Sequence, residues 1–172
     1  MVFLSLTITT TIAGTQRQPH NLTKLKTPFL SPTLQLKDID GNTIDISKLN
    51  GKIIVLNFWA SWCKACLKEM ASLQRLHLKT ANRDIAVIAV NIGEDIDTIT
   101  SFFNSIDDKP TFPVVIGNNT DIATKWQVKG LPTTYIINAN GLITYKAIGS
   151  REFDHPELMR KIVTLHMRSG KN

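Results

Sequence analysis

Only two of the 172 residues are cysteine. The disulfide framework that staples small extracellular domains is therefore excluded. Bonded to each other, the two would close a ring of four residues, which removes little entropy from an unfolded chain. A structural zinc site needs two further ligands, and His20, His77, His155 and His166 form no H-x3-5-H pair. No metal is expected. No apolar run reaches the roughly 20 residues that a membrane-spanning helix requires. Lysine and arginine number 20 against 14 acidic residues, a net charge of +6, but they are scattered without runs of five or six. That pattern reads as a solvated basic surface. No nucleic-acid motif and no interleaving of aromatic with basic residues accompanies it.

What remains is concentrated in one place. Both cysteines lie in Trp62-Cys63-Lys64-Ala65-Cys66, directly after the apolar run Ile53-Ile54-Val55-Leu56-Asn57-Phe58-Trp59. A buried strand that delivers a Cys-x-x-Cys pair to the first turn of a helix builds a dithiol redox site. Backbone N–H groups and the helix dipole there favour a thiolate on the first sulfur. The second sulfur, one turn in, can attack a mixed disulfide. The chain's hydrophobic share of 42% is enough for an ordinary core, so one globular domain with an N-terminal tail is expected.

Residues 2–13 are apolar but contain four threonines and no preceding lysine or arginine. They have the length of a signal-peptide core, with Ala13 or Gly14 as the small residue. Residues 1–13 are expected to be a signal or anchor segment and 14–27 a polar linker, with the domain over 28–172. Residues 29–36 alternate, and Asp40-Gly41 supplies a turn into a second strand, so an N-terminal hairpin is predicted. From Trp62 onward Leu67, Met70, Leu73 and Leu76 mark a helix. Residues 84–92 form a strand covered on both faces. Ile96, Ile99, Phe102, Phe103 and Ile106 stripe a second helix, where the aromatics serve packing. A short strand over 112–116, a short helix over 121–126, a strand after Gly130-Leu131-Pro132-Thr133-Thr134, a turn at Asn140-Gly141, a strand over 142–148 and a helix over 154–167 complete the chain. The class is α/β with a mixed sheet flanked by helices.

In this order and spacing the pieces resemble the thioredoxin superfamily, and within it the TlpA/ResA-like extracytoplasmic thiol-disulfide oxidoreductases. The resemblance covers residues 27–168. It is carried by Leu49-Asn50-Gly51-Lys52 leading into Val55 through Cys63, by Glu69, by the helix after Asn91-Ile92, by Phe112-Pro113-Val114, by the Gly130 to Thr134 segment, and by residues 137–141. Residues 94–126 resemble the βα insertion of the TlpA branch. There are two departures. Lys64-Ala65 replaces the family's usual Pro before the second cysteine, and Met70 stands where Pro often follows the acid. The dipeptide tunes thiolate stability and hence redox poise.

The resemblance implies a thioredoxin-like fold and a protein-disulfide reductase acting outside the cytoplasm, with apocytochrome c maturation as one client. It implies that Cys63 attacks, that Cys66 resolves, and that the two form the redox disulfide. Pro132 would be cis, with Leu131 backbone groups pairing with an extended substrate and Trp62 forming the apolar rim. Trp59 and Trp126 are expected to pack. Glu69 would exchange protons with Cys66, in place of the buried Asp that plain thioredoxins carry where this chain has Asn57. The expected partners are protein disulfides and a membrane thiol-disulfide electron donor, with a membrane tether through the N-terminus. No cofactor and no nucleic acid is expected. The alternatives are a disulfide oxidant or isomerase on the same fold, and a copper-handling protein. The latter typically spaces its cysteines one residue wider and adds a His. Peroxiredoxins carry Thr three before the reactive Cys, where this chain has Ala60.

Overall fold

The computed structural model describes residues 20–107, 109–118 and 120–168. Residues 1–13, and the linker as far as residue 19, lie outside them. The strands are β1 (Thr23–Leu30), β2 (Gln35–Lys37), β3 (Thr43–Asp45), β4 (Ile53–Trp59), β5 (Ile85–Ile92), β6 (Val114–Gly117), β7 (Thr133–Ile137) and β8 (Leu142–Ile148). The helices are α1 (Lys64–Lys79), α2 (Ile96–Asn104), α3 (Thr120–Lys125) and α4 (Pro156–Arg168), with a 3-10 turn at Ile46–Leu49. Six strands form one sheet in the order β1-β8-β7-β4-β5-β6. β4, β5 and β6 run parallel, whereas β4–β7, β7–β8 and β8–β1 are antiparallel. The expected mixed α/β sheet is therefore present, and the 94–126 segment adds β6 as its sixth strand.

β4 lies at the centre, and every one of its residues is buried. Successive side chains of a strand point to opposite faces. Ile53, Val55 and Trp59 therefore join Leu73 of α1, Ile99 and Phe103 of α2, and Leu158 and Ile162 of α4 in one cluster. Ile54, Leu56 and Phe58 join Leu34, Ile88, Tyr135, Trp126 and Ile122 of α3 on the other. Trp59 and Trp126 are both packed, as expected, at 0% and 2% exposure.

The N-terminal region differs from its sequence reading in two ways. Residues 23–27, expected to be linker, belong to β1, which pairs with β8 through Thr23↔Lys146, Lys24↔Tyr145, Phe29↔Ile143 and Leu30↔Leu142, with a register irregularity between Lys24 and Phe29. β1 is an edge strand with seven exposed positions out of eight, so it carries no apolar period to reveal it. The alternating run at 29–36 is divided between β1 and β2. The hairpin around Asp40-Gly41 joins β2 to β3 as a separate two-stranded sheet. Asp38 organises its turn: one carboxylate oxygen accepts from the N–H groups of Asp40 (3.0 Å) and Asn42 (2.8 Å). The hairpin meets β6 where Ile39 N–H donates to Val114 O at 3.0 Å.

Gly117 ends β6 against the β5 backbone. A Cβ there would sit 2.5 Å from Asn91 O and 3.1 Å from both Ile122 Cγ2 and Val90 Cγ1. Backbone cannot yield as a side-chain tip can. Gly117→Ala should therefore lower stability by about 1–3 kcal/mol, read as a lower urea midpoint at unchanged slope. An unchanged midpoint would show that β6 is free to move away from β5.

Candidate active site

The buried strand β4 ends at Trp59, and Ala60-Ser61-Trp62 lead into α1. Cys63 is the N-cap of that helix, in extended backbone conformation, and its Sγ accepts from Cys66 N–H at 3.2 Å. Helix N-termini leave donors unsatisfied, and here one of them is aimed at the first sulfur. In the thiolate form of Cys63 the same donor and the helix dipole stabilise the negative charge. The helix starts at Lys64 rather than Trp62, because the capping residue is extended. Cys63 and Cys66 are joined as a disulfide, with 7% and 2% exposure. Trp62 beside them is 70% exposed, an apolar ring on the surface.

Glu69 lies one turn beyond Cys66, with 1% exposure. Its Oε1 accepts from Asn57 Nδ2 at 2.6 Å and from Thr134 Oγ1 at 2.9 Å. Its Oε2 accepts from Arg151 N–H at 2.8 Å. These donors come from β4, from β7 and from the loop before α4. Asn57 and Thr134 are register partners in the sheet. Removal from water pushes the Glu69 carboxyl up to about 7, and the hydrogen bonds from Thr134 and Arg151 only partly oppose that. The acid is thus poised near neutrality inside the fold.

The Leu131–Pro132 peptide bond is cis. Pro132 immediately precedes β7, whose Thr133 pairs with Phe58 of β4. Pro132 therefore lies level with the end of β4 that delivers the dithiol. Leu131 packs against the cluster that contains both cysteines. All six residues singled out from the sequence, Trp62, Cys63, Cys66, Glu69, Leu131 and Pro132, thus fall at one end of the sheet.

Other polar residues here were not legible in advance. Glu94 accepts from Ser61 N–H at 2.8 Å, from Ser61 Oγ at 2.5 Å and from Asn91 Nδ2 at 2.6 Å. It braces the approach to Trp62 from the loop after β5. No spacing rule links positions 61, 91 and 94. Arg151 is equally silent in sequence. Its side chain donates to the carbonyls of Asn21, Gly149 and Ser150 at 2.8, 3.0 and 3.0 Å, while its own N–H reaches Glu69. Ser72 holds the same loop, donating to Arg151 O and accepting from Phe153 N–H, both at 3.1 Å. Three before Cys63, Ala60 is fully buried and offers no hydroxyl to a peroxide.

A disulfide at a helix N-terminus, a cis proline level with it and a buried acid beneath it define a thioredoxin-fold dithiol protein. The comparisons agree. The AhpC/TSA family matches residues 30–146. Thiol-disulfide oxidoreductase ResA of Bacillus cereus is 34% identical over 121 residues, covering 70% of this chain and 69% of the relative. ResA of Bacillus anthracis is 31% identical over 134 residues, covering 78% and 76%. A Chlorobium tepidum structure provisionally named thiol:disulfide interchange protein DsbE superposes with TM-score 0.74 at 25% identity, covering 83% of this chain and 99% of that one. A thioredoxin family protein from Chlorobium tepidum TLS shares the fold with TM-score 0.69 at 20% identity, covering 80% and 97%. The chain belongs to the AhpC/TSA family of the thioredoxin superfamily, among the ResA-like thiol-disulfide oxidoreductases.

Burial of Glu69 has a measurable consequence in the disulfide form, where no thiol titrates. Below the ordinary value of 4.5 both folded and unfolded chains hold the proton. Between there and about 7 the unfolded chain releases it while the folded chain keeps it. Stability should fall through that window by on the order of 3 kcal/mol. Urea titrations from about pH 4 to about pH 8 should show this slope in the wild type and its loss in Glu69→Gln. Equal slopes in the two proteins would mean that Glu69 titrates as a solvated acid.

Proposed function

We propose that this oxidoreductase works as a reductant of protein disulfides outside the cytoplasm, recharged by a membrane thiol-disulfide carrier. The observation that carries the proposal is the Cys63–Cys66 pair capping α1, one turn from a buried carboxyl poised near neutral pH. The Cys63 thiolate attacks a substrate disulfide. A Cys63–substrate bond forms, the substrate S–S bond breaks, and its leaving sulfur takes up a proton. Cys66 gives its proton to the Glu69 carboxylate, and the resulting thiolate attacks Cys63 Sγ. The substrate's second sulfur departs, the Cys63–Cys66 disulfide forms, and two electrons have passed to the substrate. A proton acceptor with a value near the working pH suits this exchange.

Leu131 and Pro132 supply a backbone edge against which an extended substrate can pair, and Trp62 supplies an apolar rim. Apocytochrome c, whose cysteines must be reduced before haem attachment, is a client that fits. No described helix is long and apolar enough to cross a membrane; a tether through the N-terminus is part of this proposal. Lys64-Ala65 leaves the poise to measurement. A reductant should equilibrate near roughly −270 mV and a strong oxidant near about −120 mV. Among the described residues, the group of His and acidic side chains close enough together to hold an ion, His20, His155 and Glu157, includes neither cysteine.

The test combines trapping with turnover. Cys66→Ser should accumulate a mixed disulfide through Cys63, and Cys63→Ser should accumulate none. Wild type should reduce insulin with dithiothreitol as donor, and both variants should lose about a hundredfold or more of that rate, the scale of removing a covalent-catalysis partner. A Cys66→Ser protein that captures no partner, together with wild type inert toward insulin, sinks the reading.

A further inference from the structure

His20 precedes β1, while His155 and Glu157 open α4. Far apart in sequence, they converge on one surface. The two imidazoles stack with ring centroids 3.9 Å apart at an interplanar angle of 20°. His20 Nε2 lies 3.0 Å from Glu157 Oε2. Glu157 N–H donates to His155 Nδ1 at 3.3 Å. The other oxygen of Glu157 accepts from Lys161 Nζ at 3.0 Å, which orients the carboxylate and leaves Oε2 for a second partner. One ligand atom from each of the three residues lies within 4.8 Å of the other two.

Each imidazole, in the neutral form that ligates metals, has one nitrogen lone pair to offer; where the ligating nitrogen is one that now contacts Glu157, His20 Nε2 or His155 Nδ1, the ion would take that contact's place. The carboxylate adds the negative charge. Ligands about 2.0–2.2 Å from a tetrahedral zinc are separated from one another by roughly 3.3 Å. The His20–Glu157 edge is within a few tenths of an ångström of that. The remaining edges are each within 4.8 Å, and the His20 and Glu157 side chains are 43% and 45% exposed.

We propose that His20, His155 and Glu157 form a surface site for a divalent transition cation of zinc's class. Two imidazoles and one carboxylate without sulfur suit zinc, nickel or copper(II) over calcium or magnesium. Three protein ligands leave a fourth position open to water. The cation would pin the chain just before β1 onto the start of α4. Next to it, Asn21 O already accepts from Arg151 Nε, so the ion would reinforce the strap that steadies the Arg151 loop over Glu69. The ligands include neither cysteine, so cation binding does not rest on the redox reading.

The test uses the full chain with its disulfide intact, so that no thiol competes. Zn2+ titration by calorimetry should give one equivalent bound, and Co2+ should give the visible absorbance of a nitrogen- and oxygen-ligated ion. His20→Ala and His155→Ala should each weaken binding by about tenfold or more, since losing even an outer-shell partner costs about 10–100-fold. His77→Ala should bind as wild type. Zn2+ should raise the melting temperature of wild type and His77→Ala only. The proposal fails if wild type binds no Zn2+, or if either His20→Ala or His155→Ala binds as tightly as wild type. In that case the three residues form a hydrogen-bonded latch and nothing more.

Discussion

The contact on which this molecule turns is the Glu69 carboxylate with its three donors. A carboxylate with 1% exposure is costly unless every lone pair facing the protein is met. Here the donors come from the central strand, the strand beside it and the loop before the last helix. One side chain therefore fixes how α1 sits on the sheet, and with it where Cys66 and Cys63 stand. The same burial that makes the contact demanding gives the acid its chemistry. A solvated glutamate would be ionised throughout the neutral range and could take up no proton from a thiol. The polar cluster is useful because it is incompletely compensated.

A second carboxylate does related work from outside. Glu94 ties the Ser61 backbone and hydroxyl to Asn91, so the turn between β4 and α1 is held from both sides, by Glu94 near the surface and by Glu69 within. The two dithiol-proximal acids differ in environment and so in role. Glu94 serves as a geometric brace, whereas Glu69 both holds the helix and, by its burial, titrates near neutral pH.

Much of this was legible beforehand, for identifiable reasons. The Cys-x-x-Cys pair after an all-apolar strand, the helical stripe of Leu67, Met70 and Leu73, and the Asn140-Gly141 turn are local signals written in adjacent residues. The resemblance placed Pro132 and Glu69 at the same end of the sheet. What stayed hidden depends on distant contacts. β1 has almost no buried positions, so its polar residues read as linker. Thr134, Arg151 and Glu94 are ordinary polar types whose importance comes from partners tens of residues away. The resemblance set Glu69 in place of the acid that plain thioredoxins carry where this chain has Asn57, but the hydrogen bond between the two was visible only in the fold.

The edges of the sheet have a further consequence. A free strand at the edge of a sheet can pair with any extended polypeptide it meets. β1 presents Lys24, Lys26 and Pro28 with a break in its pairing register. Charge, a missing donor and irregular spacing are the features that discourage a foreign strand. The opposite edge, β6, is occupied by the hairpin through Ile39 and the Asp38↔Val115 bridge. Both margins thereby disfavour the addition of a foreign strand.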